Sequence, residues 1–210
     1  MQDFTSHYRR GLFIKINIRL EEVRDYRAVE ELTRAAFCNP KIVGSESFDM
    51  EHFLVHELRK RDGIMELSFV AELDGQIVGH IIYSQSHILQ PDGSKVDVIN
   101  FGPISVLPEF QLKGIGGALM KYSIAEAKKL GHGAILFFGH PEYYPRFGFV
   151  ESINFGITTS SGKNFPAFMA MELKKGYLKD VSGKFFESDL YNMDLHREEA
   201  EEFDKQFCAV

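Results

Sequence analysis

Val98-Ile-Asn-Phe-Gly-Pro-Ile-Ser-Val-Leu-Pro-Glu-Phe-Gln-Leu-Lys-Gly-Ile-Gly-Gly117 is the stretch on which the reading of this chain turns. A β-prone run ends at Pro108, and a glycine-rich turn then opens directly into a helical pattern from Ile115 to Leu130. Glycines at a helix start let the backbone come close to an anion, and the free N–H groups of the first turn point at it. The stretch therefore predicts a phosphate or pyrophosphate site built mostly from main chain. A P-loop would end in Gly-Lys-Ser/Thr, which is missing, and a dinucleotide fingerprint would need a third small residue where Leu119 stands. An ordinary strand-to-helix turn is the bland alternative.

What is left is Gln-x-x-Gly-x-Gly, here Gln111-Leu112-Lys113-Gly114-Ile115-Gly116, immediately after a strand. It resembles the coenzyme A pyrophosphate loop of the GNAT superfamily of acetyl-CoA-dependent N-acetyltransferases. A second segment, His140-Pro-Glu-Tyr-Tyr144-Pro-Arg-Phe-Gly148-Phe149, follows the apolar run Ala134 to Phe138. The family carries a Tyr on the helix after its fifth strand, four residues before a Gly-Phe pair, and Tyr144 with Gly148-Phe149 meets that spacing. One helix and one strand separate the two motifs, as in the family. On both motifs the chain is identified as a member of the superfamily. The phrases Ala167-Phe-Met-Ala-Met-Glu-Leu173 and Gly183-Lys-Phe-Phe look similar to the YhbS-like branch of bacterial acetyltransferases.

The resemblance implies an α+β fold, a central mixed sheet flanked by helices, over residues 1–175. A C-terminal extension, 176–210, belongs to the same structural unit. It implies acetyl-CoA as co-substrate and no metal. The pyrophosphate would lie on the segment Gln111, Leu112, Lys113, Gly114, Ile115, Gly116, Gly117 and Ala118, held by backbone N–H groups at the helix N-terminus. The pantetheine amides would pair with the main chain of Ile104, Ser105 and Val106, and an N–H near Ile104 would polarise the thioester carbonyl. The implied reaction is acetyl transfer to a primary amine by direct attack in a ternary complex. The runner-up is an acyl-CoA-binding or regulatory module with the same fold and no efficient chemistry.

Such a transfer has two proton problems, because the ammonium must lose a proton and the departing thiolate gains one. Tyr144 is the expected acid by its match to the family's Tyr, against a bland reading as a packing aromatic. His140 and Glu72 rank equally as bases, and a water chain is an alternative to both. His80 reads as a core or surface imidazole, and Asn100 cannot accept a proton in this role.

Composition bears on compartment and partners. A chain of 210 residues with 44% hydrophobic content is long enough for one well-buried domain. Met1 to Gly11 is polar and basic, without a signal-peptide pattern, and no apolar run reaches membrane-spanning length. Cys38 and Cys208 are far apart and fit no metal spacing, which points to a reducing compartment. The expectation is a cytoplasmic enzyme with no membrane or nucleic-acid partner. From Ser188 onward seven acids face two bases, the wrong sign for nucleic acid and the usual mark of a solvated helix face. Leu195, Ala200, Phe203 and Phe207 recur as a stripe that docks this helix on the domain or on a second subunit of a homodimer. The extension is expected to serve the fold or such a contact rather than the chemistry.

The remaining elements follow from local patterns. Phe13 to Arg19 alternates as a strand, and Asp25 caps a helix to Phe37 that Asn39-Pro40 ends. A helix from Met50 to Lys60 turns Phe53, Leu54 and Leu58 inward. Glu66–Leu73 and Gln76–Gln85 form a hairpin across Asp74-Gly75. A long strand runs from Lys95 to Leu107, and Gly131 stops the helix after it. Val150–Gly156 and Ala167–Leu173 read as strands around a polar loop, Thr158 to Asn164.

Overall fold

The structure, a computed structural model, describes residues 2–7, 13–37 and 50–207. Cys38, Asn39-Pro40 and Cys208 lie outside the described residues. Among the described residues there are four α-helices, and the strands pair mostly antiparallel. The residues divide into two compact units, one made of 1–82, 102–123 and 189–210, the other of 83–101 and 124–188.

In the first unit, β1 (Gln2–His7) pairs antiparallel with β2 (Phe13–Leu20), which pairs antiparallel with β3 (Gly63–Leu73). Ile16 and Ile18 of β2 are buried, as the alternation predicts. β3 turns into β4 (Gln76–Leu89) through Asp74 at φ 50° and Gly75 at φ 83°. Two consecutive left-handed residues are the type I′ turn that Asp-Gly favours. Helices α1 (Tyr26–Phe37) and α2 (Glu51–Lys60) bury Val29, Leu54, Val55 and Leu58 against Val70 and Ile82. Phe53, the third inward position predicted for α2, is also buried.

Asp25 does not cap α1 directly. It ends a 3-10 turn, Val23–Asp25, and its carboxylate reaches back to the Glu22 N–H at 2.8 Å. It also takes the Arg19 guanidinium at 2.6 Å, so a charged partner from β2 draws it away from the helix end.

Charged groups are buried in this unit. Arg59 of α2, 3% exposed at its side chain, reaches Glu21 at 2.5 Å and Glu30 at 2.8 Å. Its guanidinium also covers the Tyr26 ring at 4.2 Å. The Ser68 hydroxyl donates to Glu21 at 2.7 Å, and His80 stands 3.1 Å from that hydroxyl. His80 is therefore a core imidazole. Burial pushes the Glu21 pKa up, but the His80 ring and the Arg59 guanidinium outweigh it and hold the group at about 2.

The first unit also contains α4 (Arg197–Asp204). Its acids are not all solvated: Asp204 is 3% exposed, accepts from Arg34 Nε at 2.6 Å and lies 3.0 Å from His52 Nε2. Ala200 and Phe203 are buried against Met50 and Phe53, and Phe207 packs beside them. Leu195 leaves the stripe and is exposed. The helix thus docks on its own chain. Phe203→Ala is expected to cost about 2 kcal/mol of stability, below the ~3–5 of a fully buried Phe because its edge is open. Urea unfolding showing no loss would mean that α4 does not hold its place in solution.

In the second unit, β5 (Lys95–Val106) contributes its residues up to Phe101 and pairs parallel with β6 (Ala134–Phe138), Ile99 opposite Ile135. β6 pairs antiparallel with β9 (Phe168–Glu172), whose other edge takes β7 (Val150–Glu151). The strand expected to run to Gly156 stops at Glu151 because Ser152–Phe155 wind into a 3-10 turn. The Ile157 carbonyl there accepts from Ser152 Oγ at 3.2 Å and from Asn164 Nδ2 at 2.9 Å. Such side-chain bonds offer the backbone an alternative to a ladder. β8 (Ile157–Thr159) takes the start of the expected loop. β10 (Gly183–Phe186), from the extension, pairs antiparallel with the end of β4 and parallel with β8. Ile88, Val98, Leu136, Phe168 and Phe185 form the core of this unit.

Candidate active site

The anion-binding stretch lies in the first unit. After Val106 the chain makes a 3-10 turn, Pro108–Phe110, passes Leu112 at φ 59° and Gly114 at φ 87°, and enters α3 (Ile115–Lys129). The first intrahelical bond runs from the Ala118 N–H to the Gly114 carbonyl at 3.0 Å. The N–H groups of Ile115, Gly116 and Gly117 precede it, so α3 itself offers them no acceptor. Their dipoles add to a positive helix end. A Cβ on Gly79 of β4 would meet Leu119 at 3.0 Å and Ile115 at 3.1 Å. The absence of a side chain there lets the start of α3 press onto β4.

The side chains around this turn are partly committed. Gln111 Nε2 donates to the Val106 carbonyl at 3.0 Å, which ties the loop to the end of β5. Lys113 lays its ammonium over the Phe110 ring at 5.1 Å. Leu112 is fully exposed. Ser105 is buried, with its hydroxyl 3.0 Å from that of Thr33, while Ile104 and Val106 are half-buried. The main chain of Ile104 to Val106 and the N–H groups of α3 are thus gathered in one unit with a backbone, not side-chain, character.

The second motif lies in the second unit. Tyr144 opens a 3-10 turn, Tyr144–Phe147, that Gly148 closes at φ 98°. Its ring meets Phe137 edge-on at 4.6 Å and lies 5.8 Å from Phe101. Burial, with a smaller push from Tyr143, moves the phenol pKa up to about 12. Tyr144 is therefore protonated throughout the neutral range. It shares an open depression of about 520 Å³ with His140, Glu142, Tyr143 and Arg146.

Residues 65–151, which hold both motifs, match the family described as the acetyltransferase (GNAT) domain. The chain carries a GNAT acetyltransferase domain. It is 28% identical over 167 residues to the uncharacterized N-acetyltransferase YhbS of Escherichia coli K12, covering 79% of this chain and 92% of that protein. It is 33% identical to the E. coli uncharacterized N-acetyltransferase YjhQ over 84 residues, 40% of this chain and under half of that protein, 45%. A crystal structure of E. coli YhbS in complex with CoA shares the fold at a TM-score of 0.74, covering 89% of this chain and 96% of that one, with 24% identity. A GNAT acetyltransferase from Brucella melitensis, solved with acetyl-CoA, superposes at 0.65 with 29% identity, covering 84% and 97%. Both the domain and the relatives matched are those of acetyltransferases.

Within the GNAT domain the two expected bases differ in their surroundings. Glu72, on β3, accepts from Arg19 Nε at 3.0 Å, the same Arg19 that Asp25 holds, so its carboxylate belongs to a structural ion triad. His140 is exposed beside Tyr144. Among the described residues no group of His, Cys, Asp and Glu gathers to hold a metal ion, and no helix is long and apolar enough to cross a membrane.

One polar cluster of the second unit escaped the sequence reading. Ser84 donates to Asn100 Oδ1, and Asn100 Nδ2 donates to Glu187 Oε2 at 2.9 Å. The available signal was Asn100 itself, an amide in an apolar strand, which burial obliges to find partners.

Proposed function

We propose that this GNAT domain binds acetyl-CoA through the backbone of Gln111 to Ala118 and moves the acetyl group to a primary amine by direct attack in a ternary complex. The observation that carries the reading is the start of α3, where Ile115, Gly116 and Gly117 present N–H groups with no helical acceptor beside a left-handed Gly114. A pyrophosphate is the ligand such a turn suits, since the backbone can approach it closely and the helix dipole favours its charge. The relatives solved with CoA and acetyl-CoA support the same ligand. The main chain of Ile104, Ser105 and Val106 would pair with the pantetheine amides, and a neighbouring N–H would face the thioester oxygen as it gains charge. Use of acetyl-CoA agrees with the cytoplasmic setting expected from the composition.

Tyr144 is assigned the proton that the departing thiolate gains. Its pKa, pushed to about 12 by burial, keeps that proton in place over the whole assay range. Of the expected bases, His140 is open to a substrate, whereas Glu72 is engaged by Arg19.

The test is release of free thiol from acetyl-CoA across a panel of primary amines, with wild type and Tyr144→Phe side by side. The Phe ring still packs on Phe137, so the variant is expected to fold and bind CoA as wild type does. Its turnover is expected to fall about 10²-fold, the low end for loss of a positioned acid, because a thiolate leaves readily. Equal rates would reduce Tyr144 to a packing aromatic. Wild type that binds CoA and acetylates no amine would instead favour a binding module.

A further inference from the structure

Gly139 follows β6 directly and stands two places after Phe137, so the pleat puts the two positions on one face. On that face the ring of Phe137 meets the ring of Tyr144 edge-on at 4.6 Å. A Cβ added at Gly139 would lie 2.5 Å from Cε2 and 2.9 Å from Cδ2 of Tyr144, and closer still to Cε2 of Phe137. Carbon atoms in contact stand about 3.5–4.0 Å apart, so a methyl group and these two rings cannot share the space. Gly139 does not take a positive φ, so the requirement here is for room alone.

Both backbones at this contact are tied. The Gly139 N–H donates to the Ala167 carbonyl at 2.8 Å, just before β9. The N–H groups of Tyr143 and Tyr144 reach the His140 carbonyl at 3.0 and 3.4 Å. Around the Tyr144 ring, Tyr143 stands edge-on at 5.1 Å, Phe149 edge-on at 6.1 Å and Phe101 at 5.8 Å. The ring is therefore seated among aromatic neighbours and against a bare stretch of main chain, all within the second unit. Any side chain at residue 139 must displace it.

We infer that Gly139 is a positioning residue for Tyr144: its missing side chain seats the phenol ring against the end of β6 and so fixes where the hydroxyl is offered. The role rests on the reading of Tyr144 as the acid of the reaction. A hydroxyl on a rigid ring moves with that ring, and a misplacement of about 1 Å can cost about 10²-fold in rate. Displacement leaves a second mark. Tyr144 lines an open depression, so the ring's way out is toward water and away from the burial that holds its pKa up to about 12.

The experiment follows thiol release from acetyl-CoA, with n-butylamine and other primary amines, in wild type, Gly139→Ala, Tyr144→Phe and the double variant. Gly139→Ala is expected to lose about 10²-fold in kcat and to keep its KM for acetyl-CoA. In the Tyr144→Phe background the same substitution is expected to change kcat by about twofold or less, because the ring moves but carries no hydroxyl. An unchanged kcat in Gly139→Ala would overturn the proposal. So would a full second loss in the double variant, which marks damage to the fold instead. Should Gly139→Ala not fold, it is remade with Phe137→Leu, which removes the other ring in the way. Failure of both to fold would make Gly139 a residue of the fold alone and overturn the proposal.

If Tyr144→Phe turns over as wild type does, or no amine is acetylated, the reading of Tyr144 as the acid fails. The seat of its ring is then judged by fluorine NMR of protein labelled with fluorotyrosine, where the resonance missing from Tyr144→Phe belongs to this ring. Gly139→Ala is expected to shift that resonance and to lower the pH at which it titrates. Absence of both changes would overturn the proposal.

Discussion

Gly116→Glu is expected to weaken CoA binding about 10³-fold, or ~4 kcal/mol, in a protein that stays folded. A Cβ at this position meets only Val106 Cγ2, at 3.7 Å, which is ordinary contact. The backbone there does not need the left-handed region, unlike Gly114 at φ 87°, where any side chain is strained. An acid in the first turn of α3 even suits the helix dipole, so the fold bears no penalty. The ligand bears all of it: the new side chain fills the space in front of the Gly116 N–H and sets a carboxylate against the pyrophosphate. Calorimetry decides the matter, with circular dichroism as the check on folding. Unchanged affinity in the folded variant would remove the pyrophosphate from this loop.

Arg59→Met is expected to destabilise the protein by about 3–5 kcal/mol, because it leaves the buried carboxylates of Glu21 and Glu30 without their cation. In a chain of this size that corresponds to a melting temperature lower by roughly 10 °C. The pH dependence carries a second signature. Glu21 is held at about 2, below its ordinary 4.5, so in wild type its contribution is present above 4.5 and lost as the pH falls toward 2. In the variant the orphaned carboxylates gain by protonation, so acid relieves them. The stability gap between the two proteins is expected to be widest at neutral pH and to close on acidification. A gap that is constant with pH would show that Arg59 acts by packing its stem rather than by its charge.

The features legible from the sequence are those set by neighbours along the chain. Asp74-Gly75 dictates its own turn, and Gln111 to Gly116 announces a helix start with a bare backbone. Tyr144 is set by its spacing to Gly148, which closes the same 3-10 turn. Where distant side chains decide, the reading goes astray. Asp204 reads as one acid among many, yet its partner Arg34 lies 170 residues earlier. Asn100 and Glu187, 87 residues apart, follow the same logic. The strand expected after Val150 stops at Glu151 for a local reason, since Ser152–Phe155 wind into a 3-10 turn that Gly156 closes at φ 71°.

The first unit is assembled from three separate stretches of sequence, 1–82, 102–123 and 189–210. During synthesis, α2 emerges with Met50 and Phe53 uncovered, and the residues that cover them, Ala200 and Phe203, leave the ribosome only after every segment of the second unit. Asp204, which receives Arg34, comes later still. The segments of the second unit, ending at Ser188, are all available earlier. The nascent protein therefore carries an open apolar face until α4 has been made, and a message truncated before α4 yields a chain that chaperones and proteases can recognise as unfinished.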